Sequence, residues 1–261
     1  MRSPFSTEPP FTHGQADRTA VLLCNLGTPD EPTAPAVRRY LAQFLGDHRV
    51  VEIPKLLWMP ILHGIILRTR PAKSAAKYAS VWTPEGSPLA HWTSKQATLL
   101  RGWLGQAGSN VLVRHALRYG NPSIASQLDA LKAEGATRIL ILPLYPQYSA
   151  PTTASVFDAV YSWASRVRNV PELRFVNHYH DDPGYIDALA RTVQTHWKHH
   201  GPPDKLVMSF HGVPERTLQL GDPYHCESHK TARLLAERLC LQKDDWQLTF
   251  QSRFGKAKWL Q

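Results

Sequence analysis

The segment Lys205 to Pro214, KLVMSFHGVP, drives an apolar run into His211, then Gly212, then a turn limited by Pro214. That order holds an imidazole at the end of a buried strand with little backbone freedom. A neutral imidazole is both a base near neutral pH and a metal ligand, and a core histidine satisfied by backbone would have the same local sequence. Other candidate strand ends are also rich in such groups: Asn25, Arg118-Tyr119, Tyr145-Pro146-Gln147-Tyr148-Ser149, His178-Tyr179-His180 and Gln251-Ser252. In open parallel sheets, ligands bind outside the carboxyl ends of the strands, so these ends are read together. Tyr can pack on a ring face, Arg can grip a carboxylate with its planar fork, and His can exchange protons or hold a metal. The set suits a flat, apolar, anionic ligand, although ordinary loop polarity would account for any one of these residues alone. Neither G-x-G-x-x-G nor G-x-x-x-x-G-K-[ST] occurs at these ends, so a nucleotide phosphate cradle is not signalled.

Two further stretches carry chemistry. Ile53 to Leu67, IPKLLWMPILHGIIL, is apolar but broken by Pro54, Lys55, Pro60 and His63, and is too short to span a bilayer. Arg68, Arg70, Lys73 and Lys77 follow with no acid among them, an order that suits an interfacial segment touching anionic lipid and equally a core helix with a solvated neighbour. His225-Cys226-x-x-His229 sets two imidazoles at i and i+4 on one helical face, yet lacks the clustered ligands of a structural zinc site.

The elements that position these residues alternate. Thr19 to Leu26 is almost wholly apolar, as a parallel strand buried on both faces requires, and Gly27-Thr28-Pro29 ends it. Val37, Tyr40, Leu41, Phe44 and Leu45 recur at helical spacing behind Pro35, with Gly46 at the position of a left-handed cap. The pattern then predicts helix 89–104, strand 110–116, a helix opened by Asn121-Pro122, strand 138–144 and a helix over 155–167. A second cycle follows: strand 173–179, helix 183–199, strand 205–210, helix 225–239 and strand 246–251. Alternating β and α predicts an α/β protein with two Rossmann-like domains, each a parallel sheet flanked by helices. The expected division is a disordered lead-in over 1–18, a first domain over 19–160 and a second over 161–261.

Composition bounds the function. The 261 residues, 43% hydrophobic and 20% charged, exclude a disordered or collagenous chain. Thirty Lys plus Arg against twenty-one Asp plus Glu leave +9, which allows nucleic acid, lipid or an acidic small molecule as partner. No zinc-finger spacing, RNA-recognition motif or basic run accompanies that charge, so nucleic acid is not expected. Cys24, Cys226 and Cys240 form no C-x-x-C and no disulfide framework, and the first twenty residues hold no signal-peptide apolar run. A reducing, cytoplasmic setting is expected.

The segment Leu206 to Tyr224, LVMSFHGVPERTLQLGDPY, resembles the S-x-H-G-[apolar]-P and following G-D-P-Y of the ferrochelatases, in a bacterial-type chain. Supporting matches are LCNLGTP (Leu23 to Pro29), SPL followed by WTSKQ (Ser87 to Gln96), LRYGNP (Leu117 to Pro122), LPLYPQYSAPTTAS (Leu142 to Ser155) and FQSRFG with Lys258-Trp259-Leu260. The resemblance implies two chelatase-like domains and insertion of ferrous iron into protoporphyrin IX to give protohaem. It implies that His211 is the catalytic histidine, accepting pyrrole protons or ligating the metal. Arg118 and Tyr119, the turn residues Tyr145, Gln147, Tyr148 and Ser149, and Gln251, Ser252, Trp259 and Leu26 match substrate-binding positions. Ferrous iron is then a substrate, no cofactor is required, and an iron–sulfur cluster of the kind some members carry would lie beyond this chain. The apolar stretch over 53–67 is similar to the family's lip, so peripheral membrane contact through 53–77 is implied.

One departure carries its own expectation. The family continues with another strand and a helix bearing a D-x-x-E-T type motif whose Glu faces the histidine, whereas this sequence stops at Gln261. The second domain is therefore expected to be incomplete, C-terminally truncated, and iron insertion by this chain reduced or lost. Two other functions remain open at this stage: a porphyrin-binding protein without catalysis, or a chelatase for another tetrapyrrole such as sirohydrochlorin.

Overall fold

The computed structural model describes residues 5–10, 13–252 and 257–260. Positions 1–4, 11 and 12 of the lead-in, 253–256 including the end of FQSRFG, and Gln261 lie outside the described residues. Two compact units emerge, Met1–Leu144 with Ala150–Asn177, and Tyr145–Ser149 with His178–Gln261.

In the first unit the chain runs β1 (Arg18–Gly27), α1 (Ala34–Gly46), α2 (Lys55–Ile61), a π-helical turn over Leu62–Ile66, α3 (Leu67–Thr69), α4 (Pro71–Ala79) and α5 (Pro88–Gln106). It continues through β2 (Leu112–Tyr119), α6 (Ile124–Ala133), β3 (Ala136–Pro143), a second π turn over Ala150–Ala154, α7 (Ser155–Ala164) and β4 (Glu172–Phe175). The four strands form one parallel sheet in the order β2-β1-β3-β4. The central strand β1 buries Ala20, Leu22, Leu23 and Cys24, which is why its sequence is apolar without alternation. Ile124, Leu128 and Leu131 of α6 are buried, following the predicted face.

Four local expectations change. The strand expected over 173–179 to begin a second sheet is instead the four-residue edge strand β4, paired with β3 from Arg138↔Glu172 to Ile141↔Phe175. Its brevity and half-exposed pattern suit a sheet edge. Gly46 does not cap α1 in a left-handed conformation; Asp47 follows in extended backbone with its carboxylate turned inward. Helix α6 is capped by Ser123, whose Oγ accepts from the Ser126 N–H, rather than opened by Asn121-Pro122. The lead-in, expected to be disordered, is tied down where it is described. Ser6 N–H donates to Arg166 O at 2.8 Å, Glu8 accepts from the N–H groups of Arg168 and Asn169, and Glu8 also pairs with Lys132.

The apolar stretch after Ile53 is neither a core helix nor a membrane span. Leu62, Leu67, Pro71 and Ala75 are buried, while Leu56 is 91% exposed and Ile53, Leu57, Ile61 and Ile65 also face outward. Among the described residues no helix is long and apolar enough to cross a membrane.

The second unit holds α8 (Pro183–His200), β5 (Leu206–His211), α9 (Glu215–Gln219), α10 (Tyr224–Arg238) and β6 (Trp246–Gln251). Strands β5 and β6 pair in parallel from Leu206↔Trp246 to His211↔Gln251. Ala190, Met208, Ala232, Leu235 and Ala236 form its core, with Leu206, Phe210, Trp246 and Leu248 packed against them. Helix α8 starts at Asp182, whose carboxylate accepts from the Tyr185 N–H at 3.0 Å. The described cysteines are free thiols, Cys24 buried and Cys226 and Cys240 exposed.

Candidate functional site

His211 is the last residue of β5 and sits beside Gln251 in the parallel register. The next peptide extends the pairing, Gly212 N–H donating to Gln251 O at 2.6 Å. The His211 ring is exposed, and its Nδ1 lies 2.7 Å from the Gly212 carbonyl oxygen. A carbonyl only accepts, so in the neutral ring Nδ1 carries the proton and Nε2 keeps the lone pair. Behind the imidazole the His211 backbone bonds the Tyr224 phenol, whose proton affinity is raised by burial.

The turn after His211 is braced by the segment near 259. Pro214 and Trp259 form an antiparallel bridge, Leu260 N–H donates to Val213 O at 3.1 Å, and Glu215 N–H donates to Lys258 O at 2.9 Å. Trp259 is buried, so it supports this turn more than it offers a ring face. Ser252 leaves β6 at φ +67, a left-handed conformation that turns the chain directly after Gln251. His211, Gln251, Ser252 and Trp259, far apart in sequence, thus gather at one end of the second sheet.

The turn Tyr145–Ser149 follows β3 yet folds with the second unit, although it falls within the first of the two expected domains. Three anchors from that unit account for this. Gln147 Nε2 donates to Thr231 Oγ1 at 2.9 Å, Tyr148 N–H donates to Glu227 Oε2 at 2.7 Å, and Ser149 Oγ lies 3.0 Å from Asp222 Oδ2, to which it donates. The Tyr179 N–H, donating to Pro146 O at 2.9 Å, adds a fourth. Gln147 and Ser149 are buried, while Tyr145 and Tyr148 are half-buried. The Gln and Ser side chains therefore act as fasteners, and the two Tyr rings are the members with surface to present.

In the first unit, Leu26 is half-buried near the end of β1, its N–H donating to Asn25 Oδ1 at 2.8 Å. Arg118 and Tyr119 close β2, and both are committed to a buried network. Arg118 Nε donates to the Ser155 carbonyl and hydroxyl at 2.8 and 2.7 Å, and Nη2 donates to Asp47 Oδ2 at 2.6 Å. Tyr119 Oη donates to the same Asp47 oxygen at 2.8 Å, as does Ser155 Oγ at 2.6 Å. Burial alone would push the Asp47 carboxyl up. The bonds from Ser155, the Arg49 backbone and Tyr119, with the Arg118 charge, hold it below the usual carboxylate range.

Tyr119 is fully buried, edge-on to Phe44, and therefore braces Arg118 rather than facing a flat ligand. The Arg118 side chain as a whole is 22% exposed, with its guanidinium oriented by Asp47 and Ser155.

Glycines explain why two of the quoted motifs have their spelling. Gly27 has φ +116, and a Cβ there would stand 1.8 Å from the Tyr119 carbonyl oxygen. Gly120 has φ +91, and a Cβ there would stand 2.5 Å from the Thr28 carbonyl oxygen. LCNLGTP and LRYGNP thus need each other's glycine for the ends of β1 and β2 to approach.

Sequence reasoning missed the holding residues Asp47, Asp222, Glu227 and Thr231. Asp222 was within reach, inside the quoted G-D-P-Y. Asp47 carried no signal, because nothing local distinguishes an inward-turned carboxylate after a helix. His225 and His229 do share a helical face, their Nε2 atoms 3.2 Å apart.

A ferrochelatase family model matches residues 18–261. A ferrochelatase of Polaromonas sp. strain JS666 is 73% identical over 261 residues, an alignment covering 98% of this chain and 71% of that protein. One of Methylibium petroleiphilum strain PM1 is 72% identical over 254 residues, covering 97% and 70%, and one of Janthinobacterium sp. strain Marseille is 63% identical over 257 residues, covering 98% and 70%. Among solved structures, SirB from Bacillus subtilis with Fe3+ aligns with a TM-score of 0.50 at 14% identity over 92% of this chain and 68% of that one, a likeness of fold alone.

Proposed function

This chain belongs to the ferrochelatase family, and from that membership we propose that His211 carries the proton-accepting step of its reaction, the insertion of ferrous iron into protoporphyrin IX to give protohaem. Metallation breaks two pyrrole N–H bonds, forms bonds from the ring nitrogens to iron and releases two protons. A base must therefore stand near the macrocycle and pass each proton on. The observation that carries the reading is the bond from Nδ1 to the Gly212 carbonyl, which leaves Nε2 as the basic nitrogen of an exposed imidazole. The same lone pair can ligate ferrous iron before a pyrrole nitrogen does.

The other positions that match the family's substrate-binding residues are proposed, each within its own unit, to hold and orient the substrate. Tyr145 and Tyr148 offer ring surface from a turn fastened by Gln147 and Ser149; Gln251 and Ser252 flank the imidazole; and Leu26 adds apolar contact. Arg118, held by Asp47 and Ser155, contributes a positive charge that suits the substrate's propionates. Iron enters as substrate, and this reading requires no further cofactor. The family match gives no support to a non-catalytic porphyrin carrier or to a sirohydrochlorin chelatase.

Replacing His211 by Ala in the full chain tests the role. Ferrous insertion, followed by the loss of protoporphyrin fluorescence, should fall by about a hundredfold or more, with the thermal midpoint little changed because the ring is exposed. Undiminished turnover would refute it.

The chain is inferred to work in the cytoplasm with peripheral membrane contact through 53–77. The exposed Leu56, Leu57, Ile61 and Ile65 are followed by exposed Arg68, Arg70, Lys73 and Lys77, and no acid occurs between Ile53 and Lys77. That pairing of apolar and basic surface suits an anionic lipid face.

A further inference from the structure

Away from His211, the second unit brings together two imidazoles and a carboxylate. His178 and His180 lie on the segment leading into α8, and Glu227 lies in the first turn of α10. Their potential ligand atoms are all within 4.8 Å of one another. His178 Nδ1 is 2.6 Å from Glu227 Oε1, and His180 Nδ1 is 3.5 Å from Glu227 Oε2. An ion with bonds of about 2.0–2.1 Å in tetrahedral array spaces its ligand atoms roughly 3.3 Å apart, so modest movement of the half-exposed His178 ring would accommodate one.

We propose that His178, His180 and Glu227 form a divalent transition-metal site, with two nitrogens and one carboxylate oxygen as ligands. The strongest support is His180. Its ring is only 6% exposed, and its buried Nδ1 has no hydrogen-bond partner although it faces the Glu227 carboxylate. At 3.5 Å from Glu227 Oε2 this nitrogen is too far for a good hydrogen bond in either neutral tautomer, a spacing that a cation ligated by both groups would fill.

The surrounding charge favours a cation. Lys230, the basic group facing the cluster, is paired with Asp181 at 2.5 Å, which leaves the Glu227 charge for the site. The ligands are also held from behind. His180 O accepts from Thr231 Oγ1 at 2.8 Å, and Glu227 Oε2 accepts from the Tyr148 N–H. Two imidazoles with one carboxylate suit zinc, cobalt or ferrous iron rather than magnesium or calcium. With His178 keeping 46% of its side-chain surface, an ion has a path in. Once bound, it would tie α10 to the 178–180 segment and, through Glu227, stiffen the 145–149 turn.

The site rests on this cluster and not on the role given to His211, so the test is made in a His211→Ala background of the full chain, where the two can fail separately. Cobalt(II) added to that protein should bind as one equivalent with a visible ligand-field band. Adding His178→Ala, which alters a half-exposed ring and leaves the fold intact, should weaken half-saturation by at least about tenfold. Glu227→Gln, which keeps an acceptor for Tyr148, should do the same, and His225→Ala should not. Absence of binding in the His211→Ala protein would overturn the proposal, as would binding unaffected by His178→Ala or lost instead with His225→Ala.

Discussion

The backbone N–H of Tyr148 donates to the Glu227 carboxylate at 2.7 Å, joining residues 79 positions apart in sequence. Through this bond the turn that follows β3 is shaped by a helix of the unit with which it folds. Glu227 is therefore a positioning residue for Tyr148, whatever else its second oxygen does.

Glu227→Ala should release that turn. Stability is expected to fall by roughly 1–3 kcal/mol, the cost of leaving a buried donor unmet. The KM for protoporphyrin should rise severalfold with a smaller change in kcat. Glu227→Gln, whose amide oxygen can still accept, should restore most of the KM. Steady-state kinetics on both variants checks this, and a KM unmoved in Glu227→Ala would contradict it.

Asp47 makes a pH prediction with a definite sign. Its folded carboxyl is held below its ordinary value, so its contribution to stability is complete above about pH 4 and is lost as pH falls through the lower folded value. Asp47→Asn should lose roughly 3 kcal/mol at neutral pH, because the Arg118 charge is left uncompensated. On acidification below about pH 4, the gap between the two proteins should close. Urea midpoints measured across pH test it, and parallel curves would count against it.

Gly27→Ala should be among the most damaging small changes in the first unit. Positive φ and a Cβ overlapping the Tyr119 carbonyl act together there, at a cost of roughly 3 kcal/mol or more. Gly86 has φ +100 with nothing within 4 Å of its Cβ position. Gly86→Ala should therefore meet backbone strain alone, roughly 1 kcal/mol. Thermal or urea unfolding separates the two, and equal losses would argue that strain rather than close approach governs Gly27.

The exposed lip should bind vesicles containing anionic phosphatidylserine more tightly than neutral ones, with the difference shrinking as salt rises. Reversing Arg70 and Lys73 to Glu should weaken binding severalfold, and Leu56→Ser should weaken it for both vesicle types. Co-sedimentation measures each. Equal binding of the charge-reversed variant would sink the electrostatic part.

Much of the fold was legible from local pattern. The unbroken apolar run of β1, the helical spacing in α6 and the strand Trp246–Gln251 each signal an element through side-chain periodicity, which depends on neighbours in sequence. The placement of His211 at a strand end was legible too, because a strand, a glycine and a proline constrain the ring from adjacent positions.

Partnership was not legible. Whether the strand after α7 joins the first sheet or begins the second depends on which edge it meets, and β3 captured it. Arg118 reads as a free clamp in sequence, yet Asp47 and Ser155, 71 and 37 residues away, already hold its guanidinium. The YPQYS turn reads as an extension of its strand, yet Asp222, Glu227 and Thr231 draw it into the other unit. Residue type and spacing determine what a side chain is able to do and which element carries it. Which charge it meets, which face it buries and which nitrogen keeps its lone pair follow only from groups brought together across the chain, since hydrogen bonds and burial act at contact distance.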